Sequence, residues 1–237
     1  MPIVRALGAL LCAATTALTG CATGTSAEVP AGVNLAGNWK LDPAASDDPQ
    51  KLLAQMRAEA YKIINRGPQP TPPPLPHNGM PPPNRQQPQD QTVNEDALYA
   101  PTGPGGQRPD PLRHSPMAHI VQTTVERGDF LTVRQGPGEF VLDYGTSLRR
   151  FTPGGHSVVS AEGGVGDQTS GWKNHEYVIE IKAQLGPDVT ETLALSADGK
   201  HLVDKLHISS GELPAVNLTR VYDPTTEVAP RQTPTND

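Results

Sequence analysis

Between Val189 and Tyr222 apolar and polar positions alternate with a period of two. Val189, Glu191, Leu193 and Leu195 alternate with Thr190, Thr192 and Ala194; Leu202, Asp204, Leu206 and Ile208 follow the turn residues Asp198-Gly199. Val216, Leu218, Arg220 and Tyr222 come after Gly211 and Pro214. This pattern predicts three antiparallel strands in one meander. Each inward face is apolar except for one charge: Glu191, Asp204 and Arg220. Asp-Gly suits a two-residue type I′ turn, which sets Leu195 opposite Leu202 and Leu193 opposite Asp204. A loop centred on Glu212 sets Leu206 opposite Leu218 and Asp204 opposite Arg220. An odd-length loop through Gly186-Pro187 sets Ile181 opposite Glu191. A slip of one residue would turn these apolar faces outward, so the register is constrained.

Upstream, Leu35–Leu41 is a strand candidate. Ser46-Asp47-Asp48-Pro49 is a helix start, with capping side chains and proline in the first turn. Leu52, Leu53, Met56, Ala60, Ile63 and Ile64 then recur at helical spacing. The predicted helix ends at Gly67-Pro68 and packs its apolar stripe on the sheet. A strand series begins at Met117: Val121, Thr123 and Val125; Leu131 and Val133; Phe140, Leu142 and Tyr144; Leu148–Thr152; Ser157–Ala161. A glycine-rich loop, Gly163–Gly171, leads to His175–Gln184. The expected fold is mainly β: an antiparallel up-and-down β-barrel of about 8–10 strands with one amphipathic helix, closed so that no edge is exposed.

Composition changes this picture in one region. The chain has 237 residues, 26 of them proline, with only 4% aromatic content. Fifteen prolines fall within residues 68–116, so 67–116 reads as an extended, disordered insertion. Val93–Ala100 reads as a local helical turn within it. The insertion is either a spacer or a polyproline arm for a protein partner. Barrel strands then occupy 117–223, and 224–237 reads as a disordered tail. The net charge of −6 comes without a basic block, which argues against nucleic acid.

The N-terminus sets an expected location. Arg5 and the apolar run Ala6–Leu18 form a signal-peptide pattern too short for a membrane span. Leu18-Thr19-Gly20-Cys21 resembles the bacterial lipobox. The resemblance implies removal of residues 1–20, acylation of Cys21 and a stable membrane anchor. Ala22 after the cysteine is similar to Gram-negative lipoproteins of the outer membrane, periplasmic side. Residues 21–34 read as a lipidated, flexible tether ahead of 35–66. Cys12 lies in the leader, so Cys21 is the sole cysteine of the mature chain and intramolecular disulfides and cysteine chemistry are excluded.

Two motifs frame the barrel. Gly37-Asn38-Trp39-Lys40-Leu41 opens it, and Thr219-Arg220-Val221-Tyr222 closes it. The pair resembles the calycins, the lipocalin and fatty-acid-binding-protein superfamily. There a Gly-x-Trp lies on the first strand and a basic residue on the last, and an Arg and Tyr hold a ligand carboxylate. The resemblance implies Gly37, Trp39 and Arg220 as a structural signature and Arg220 and Tyr222 as ligand contacts. The chain departs from the family in its export signal, and in having one helix and a long insertion where the family has two short helices.

Two readings of the inward charges stand open. Asp204 and Arg220 should pair across strands with Glu191 diagonal to them, since an unpaired inward charge is costly. That pair is either a latch, with Arg220 stacked on Trp39, or part of a ligand site formed by Arg220, Tyr222, Asp204 and Glu191. The acids favour a cationic or hydroxyl head group over a carboxylate. His77, His114, His119, His156, His175, His201 and His207 show no metal-ligand spacing; His201 and His207 should face solvent. No metal, cofactor or nucleophile motif is found. Glu191 and Asp204 make a poor hydrolytic pair beside Arg220, so no enzyme is expected. The favoured function is an anchored carrier or binder of a small apolar or amphiphilic ligand. The competing one is a non-catalytic envelope interaction protein with a filled barrel and a proline-rich arm; cavity size separates them.

Overall fold

The structure is a computed structural model and describes residues 24–66, 109–228 and 230. The leader, Cys21, residues 67–108 with Val93–Ala100, and the end of the tail lie outside the described residues. Ten strands form one antiparallel sheet: β1 (Gly37–Leu41), β2 (Phe130–Gly136), β3 (Glu139–Asp143), β4 (Leu148–Phe151), β5 (Gly155–Ala161), β6 (Gly164–Lys173), β7 (Glu176–Ala183), β8 (Asp188–Leu195), β9 (Leu202–Ser209) and β10 (Val216–Pro224). The order β4-β3-β2-β1-β10-β9-β8-β7-β6-β5 joins the first strand to the last, giving an up-and-down barrel. The expected full closure does not occur. β4 and β5 are consecutive but unpaired: Gly155 N–H bonds locally to Thr152 O, turning the chain, and Gly154 N–H bonds to Ser170 O of β6.

Among the described residues, two helices lie between β1 and β2: α1 (Pro49–Asn65) and α2 (Pro116–Glu126). The expectation of one helix and of a strand at Val121–Val125 is thereby corrected. Ser115 caps α2, accepting from the Ala118 N–H, with Pro116 in its first turn, the same start as Asp48-Pro49 of α1. Met117, Ala118 and Val121 follow helical spacing and are buried with Leu53, Met56 and Ala60 of α1 and with Leu206, Ile208 and Leu218 of the sheet. The residues just before α2 are also ordered, contrary to an insertion running to 116. Asp110 forms a two-bonded ion pair with Arg57 of α1.

The glycine-rich Gly163–Gly171 is a strand rather than a loop, since most of it lies in β6. Gly163, Gly166 and Gly171 serve close approach. A Cβ at Gly171 would lie 2.7 Å from Ser26 O and 2.8 Å from Gly154 N. This close packing corrects the reading of residues 21–34 as a free tether. Ser26 and Trp172 exchange backbone bonds of 2.7 and 2.8 Å, and Leu35 is fully buried. At the other end, Thr225 N–H bonds to Asn38 O and Lys40 pairs with Glu227, so 224–227 is bound rather than free.

The registers of β8, β9 and β10 are as expected: Leu195 opposite Leu202, Leu193 opposite Asp204, and Asp204 opposite Arg220. The β7–β8 hairpin is displaced by one pair. Ile179, not Ile181, faces Glu191, which keeps the faces because the parity is the same. The turn at Asp198-Gly199 is not type I′: only Gly199 has positive φ, and the Ser196 carbonyl accepts from the Gly199 N–H.

The barrel end formed by the β2–β3, β6–β7 and β8–β9 turns is filled. Phe140 stacks on Tyr177 at 3.7 Å, and Trp172 meets both edge-on. Trp39 joins this cluster; its indole N–H bonds to Leu35 O and its ring covers Gly37, whose φ of 152° suits glycine. Gly171→Val would force the Ser26 strand and the Gly154 turn apart. We expect it to lower unfolding free energy by about 1–3 kcal/mol in denaturant titrations; an unchanged midpoint would refute the docked segment.

Candidate ligand site

The opposite end, under the two helices, is open. A cleft of about 360 Å³ enters between α2 and the β5–β6 and β7–β8 turns. Ile120 of α2 and Val159, Ile181, Val189 and Leu206 of the sheet form apolar walls, and Arg127, Arg149 and Glu191 line the same cleft. The volume lies at the lower end for a small-molecule site. His119 of α2 pairs with Glu162 of the β5–β6 turn at 2.7 Å, bracing the mouth.

Glu191 projects inward from β8 and is 2% exposed. Two arginines hold it: Arg127, which caps the C-terminus of α2, at 2.7 Å, and Arg149 of β4 at 2.5 Å. Burial alone would raise its carboxyl, but Arg149 and Arg127 outweigh that and hold it at about 2. Arg127 is raised in turn, Glu191 overcoming the effect of burial. Each arginine also lies over a ring, Arg127 over Tyr144 and Arg149 over Phe151.

One step deeper on the face of Leu206 lies Asp204, also 2% exposed. Its Oδ1 has no hydrogen-bond partner, nor do the buried hydroxyls of Tyr144 and Tyr222. Burial and the nearby charge of Glu191 push the Asp204 carboxyl up to about 7, against the pull of Arg127, Arg220 and Arg149. Burial, with Glu191, also raises Tyr144 to about 12. Tyr222 is raised well above its ordinary value, again mainly by burial.

Arg220 faces Asp204 in the ladder, yet its guanidinium is used elsewhere. It donates to Thr124 O at 2.8 Å and Gly128 O at 2.5 Å, the carbonyls that end α2. A cation suits a helix C-terminus, so Arg220 ties α2 to β10. It lies over Tyr222 at 5.3 Å rather than on Trp39.

The structure thus brings Glu191, Asp204, Arg220 and Tyr222 into one interior cluster, with Gly37 and Trp39 at the filled end of the barrel. His207 is exposed, whereas His201 is part-buried and bonded to Asp223. Sequence reasoning missed Arg127, Arg149 and Tyr144. The alternation of Arg149 with Phe151 carried a signal for one of them. Arg127 was hidden because α2 was read as a strand and Arg127-Gly128-Asp129 as its turn.

A scan against protein-family models and a search of curated proteins found no match. Similar solved structures include these three. Lipid binding protein 8 of Caenorhabditis elegans is 11% identical, with 82% of this chain and 100% of that one covered and a TM-score of 0.42. The REP1-NXSQ fatty acid transporter is 10% identical, with 81% and 97% covered and a TM-score of 0.39. Zebrafish ileal bile acid-binding protein complexed with cholic acid is 14% identical, with 45% and 80% covered and a TM-score of 0.32. Overlap this loose carries no ligand chemistry from those proteins to this one.

The two acids bend stability with pH in opposite senses. Asp204 binds its proton more tightly when folded, so folding takes up a proton between the ordinary aspartate range and about pH 7. Stability therefore falls as pH rises through that window. Glu191, depressed to about 2, contributes stability above the ordinary glutamate range that is lost as pH falls through the folded value. Chemical denaturation should show a decline from about pH 5 to 7 that Asp204→Asn flattens, with the acid-side loss below the glutamate range retained. A decline equally steep in Asp204→Asn would remove Asp204 as its source.

Proposed function

We propose that the barrel binds a small amphiphile, its tail against the apolar walls of the cleft and its anionic head group against Arg149 and Arg127. The observation that carries this reading is the charge imbalance at the cleft floor, where two arginines share one carboxylate. Arg149 keeps 22% of its side-chain surface accessible and Arg127 14%, against 2% for Glu191. Their remaining N–H groups are the donors a carboxylate, sulfate or phosphate head requires. This reading departs from the expectation of a cationic or hydroxyl head, because Glu191 is taken up by its two arginines and Arg220 holds α2. Asp204 and Tyr222 act from behind the head-group contacts. The filled aromatic end limits the ligand to a short one. Exposed Val158, Val165 and Leu185 lie near the mouth and suit a ligand arriving tail-first.

The activity is binding without catalysis. Glu191, ionised and clasped, has no proton to give at neutral pH, and Asp204 lies beyond the cleft lining.

The protein is further proposed to be a lipoprotein anchored through Cys21 in the outer membrane and facing the periplasm. Ser26 is fastened beside Trp172, so the five-residue span from Cys21 reaches at most about 18 Å. The cleft mouth lies at the far end of β6, roughly 30 Å along the strand. The anchor would keep the filled end toward the bilayer and the mouth toward the aqueous space.

Calorimetry with decyl sulfate and decanol tests the ligand reading. Decyl sulfate should bind the protein tighter than decanol, and Arg149→Gln should weaken decyl sulfate about tenfold, or 1.4 kcal/mol, with decanol changed less than about twofold. Equal affinities in the unaltered protein would sink it. For the anchor, Cys21→Ser should move the protein from the membrane to the soluble fraction; persistence at the membrane would reject lipidation.

A further inference from the structure

Asp204 is a buried acid to which the amphiphile site gives no direct contact. On the same strand face, Leu206 lines the cleft and Asp204 lies two residues further in. Glu191 is opposite Leu206, and Leu193 is opposite Asp204, so the two acids are diagonal neighbours on the interior of β8 and β9. The charged and titratable groups facing Asp204 come from every surrounding element: Glu191 from β8, Arg127 from the end of α2, Arg149 from β4, Arg220 and Tyr222 from β10, and Tyr144 beyond β3. None of them is hydrogen-bonded to Asp204 Oδ1. An ionised carboxylate buried without a hydrogen bond at one oxygen is unfavourable. A neutral carboxyl at the same place is compatible with the two partnerless phenol hydroxyls beside it.

With Asp204 ionised, the three arginines exceed the two carboxylates by one charge; with Asp204 protonated, the excess is two. An anion entering at Arg149 and Arg127 adds a negative charge to the same low-dielectric interior and favours the protonated form.

We propose that Asp204 is a selectivity residue for the amphiphile site, and that binding of an anionic head group at Arg127 and Arg149 is coupled to uptake of one proton by Asp204. The proposal rests on the anionic reading of the cleft and adds to it a proton linkage. The proton comes from bulk water, and no covalent bond other than the carboxyl O–H is made. Lower pH then favours anion capture, and higher pH favours release. Neutral amphiphiles of the same chain length bind without the linkage.

Decyl sulfate is the probe because its own charge is constant over the range of interest. Calorimetric titrations of the full chain should show its affinity falling about five- to tenfold between about pH 6 and 8.5, with decanol unaffected. Near pH 7.5, titrations in phosphate and in Tris should give binding heats that differ by the buffers' ionisation heats, reporting proton uptake in the unaltered protein. Asp204→Asn should bind decyl sulfate with a flat pH profile at the affinity of the unaltered protein's acid limb. A constant decyl sulfate affinity, no buffer dependence of the heat, or an undiminished pH slope in Asp204→Asn would overturn the linkage and leave the binding reading intact. Failure of decyl sulfate to bind at every pH would overturn both.

Discussion

The barrel's shape depends on Glu191 and the two arginines that hold it. An up-and-down meander that pairs β1 with β10 leaves its two remaining edges, β4 and β5, unjoined by backbone bonds. Arg149 projects from edge strand β4 through the interior to Glu191 on β8. Arg127 ties the end of α2 to the same carboxylate. One acid therefore connects an edge strand, the strand on the far wall and the helix above the opening. Desolvating these charges is expensive, and the net gain from such a pair is small. What the arrangement does decide is geometry, since removing any one member strands the others in a low-dielectric interior.

Arg220 extends the same logic to the helices. α2 has no sheet neighbour to satisfy its last carbonyls, and Thr124 and Gly128 lie over the barrel's interior rather than in water. The Arg220 guanidinium supplies the missing donors. Burial of Met117, Ala118 and Val121 against α1 and β9–β10 then fixes the helix from the other side. The cleft exists because α2 is held at its C-terminus and along one face while Ile120 and Thr123 remain over the gap. At the far end the aromatic cluster packs the interior. Low aromatic content is compatible with a tight core because both tryptophans and two of the three phenylalanines are spent on it.

Parity made the C-terminal sheet legible. With a charge among apolar residues on each of β8, β9 and β10, only one parity of pairing buries all three faces, and the structure has it. Parity could not distinguish Ile179 from Ile181 opposite Glu191, because both choices bury the same side chains. The strand count of ten matched through two opposite errors. Val121, Thr123 and Val125 alternate like a strand, but Ser115-Pro116 and the spacing of Met117, Val121 and Thr124 fit a helix better. Gly163–Gly171 looked like a loop because glycine disfavours strands. In place, the absent side chains let Ser26 and the Gly154 turn approach β6, a reason lying in residues far away in sequence. Arg149 was within reach of the alternation argument through Phe151. Arg127 was not, since its role exists only once α2 is a helix ending above Glu191.

The choice between a latch and a ligand site, posed from sequence for a single arginine, is answered differently for different arginines. Arg220 donates to the backbone carbonyls of Thr124 and Gly128, as a latch would. Arg149 and Arg127 are committed on one side only, because one carboxylate cannot satisfy two guanidinium groups. Two arginines on one carboxylate leave further donors at the cleft under α2. A one-to-one pair would have closed the barrel as well and left the cleft neutral. On the proposed reading, the extra arginine, together with an acid behind it whose Oδ1 has no hydrogen-bond partner, would make the interior responsive to an anion, and the stability of the fold and the affinity of the cleft would depend on the same few charges.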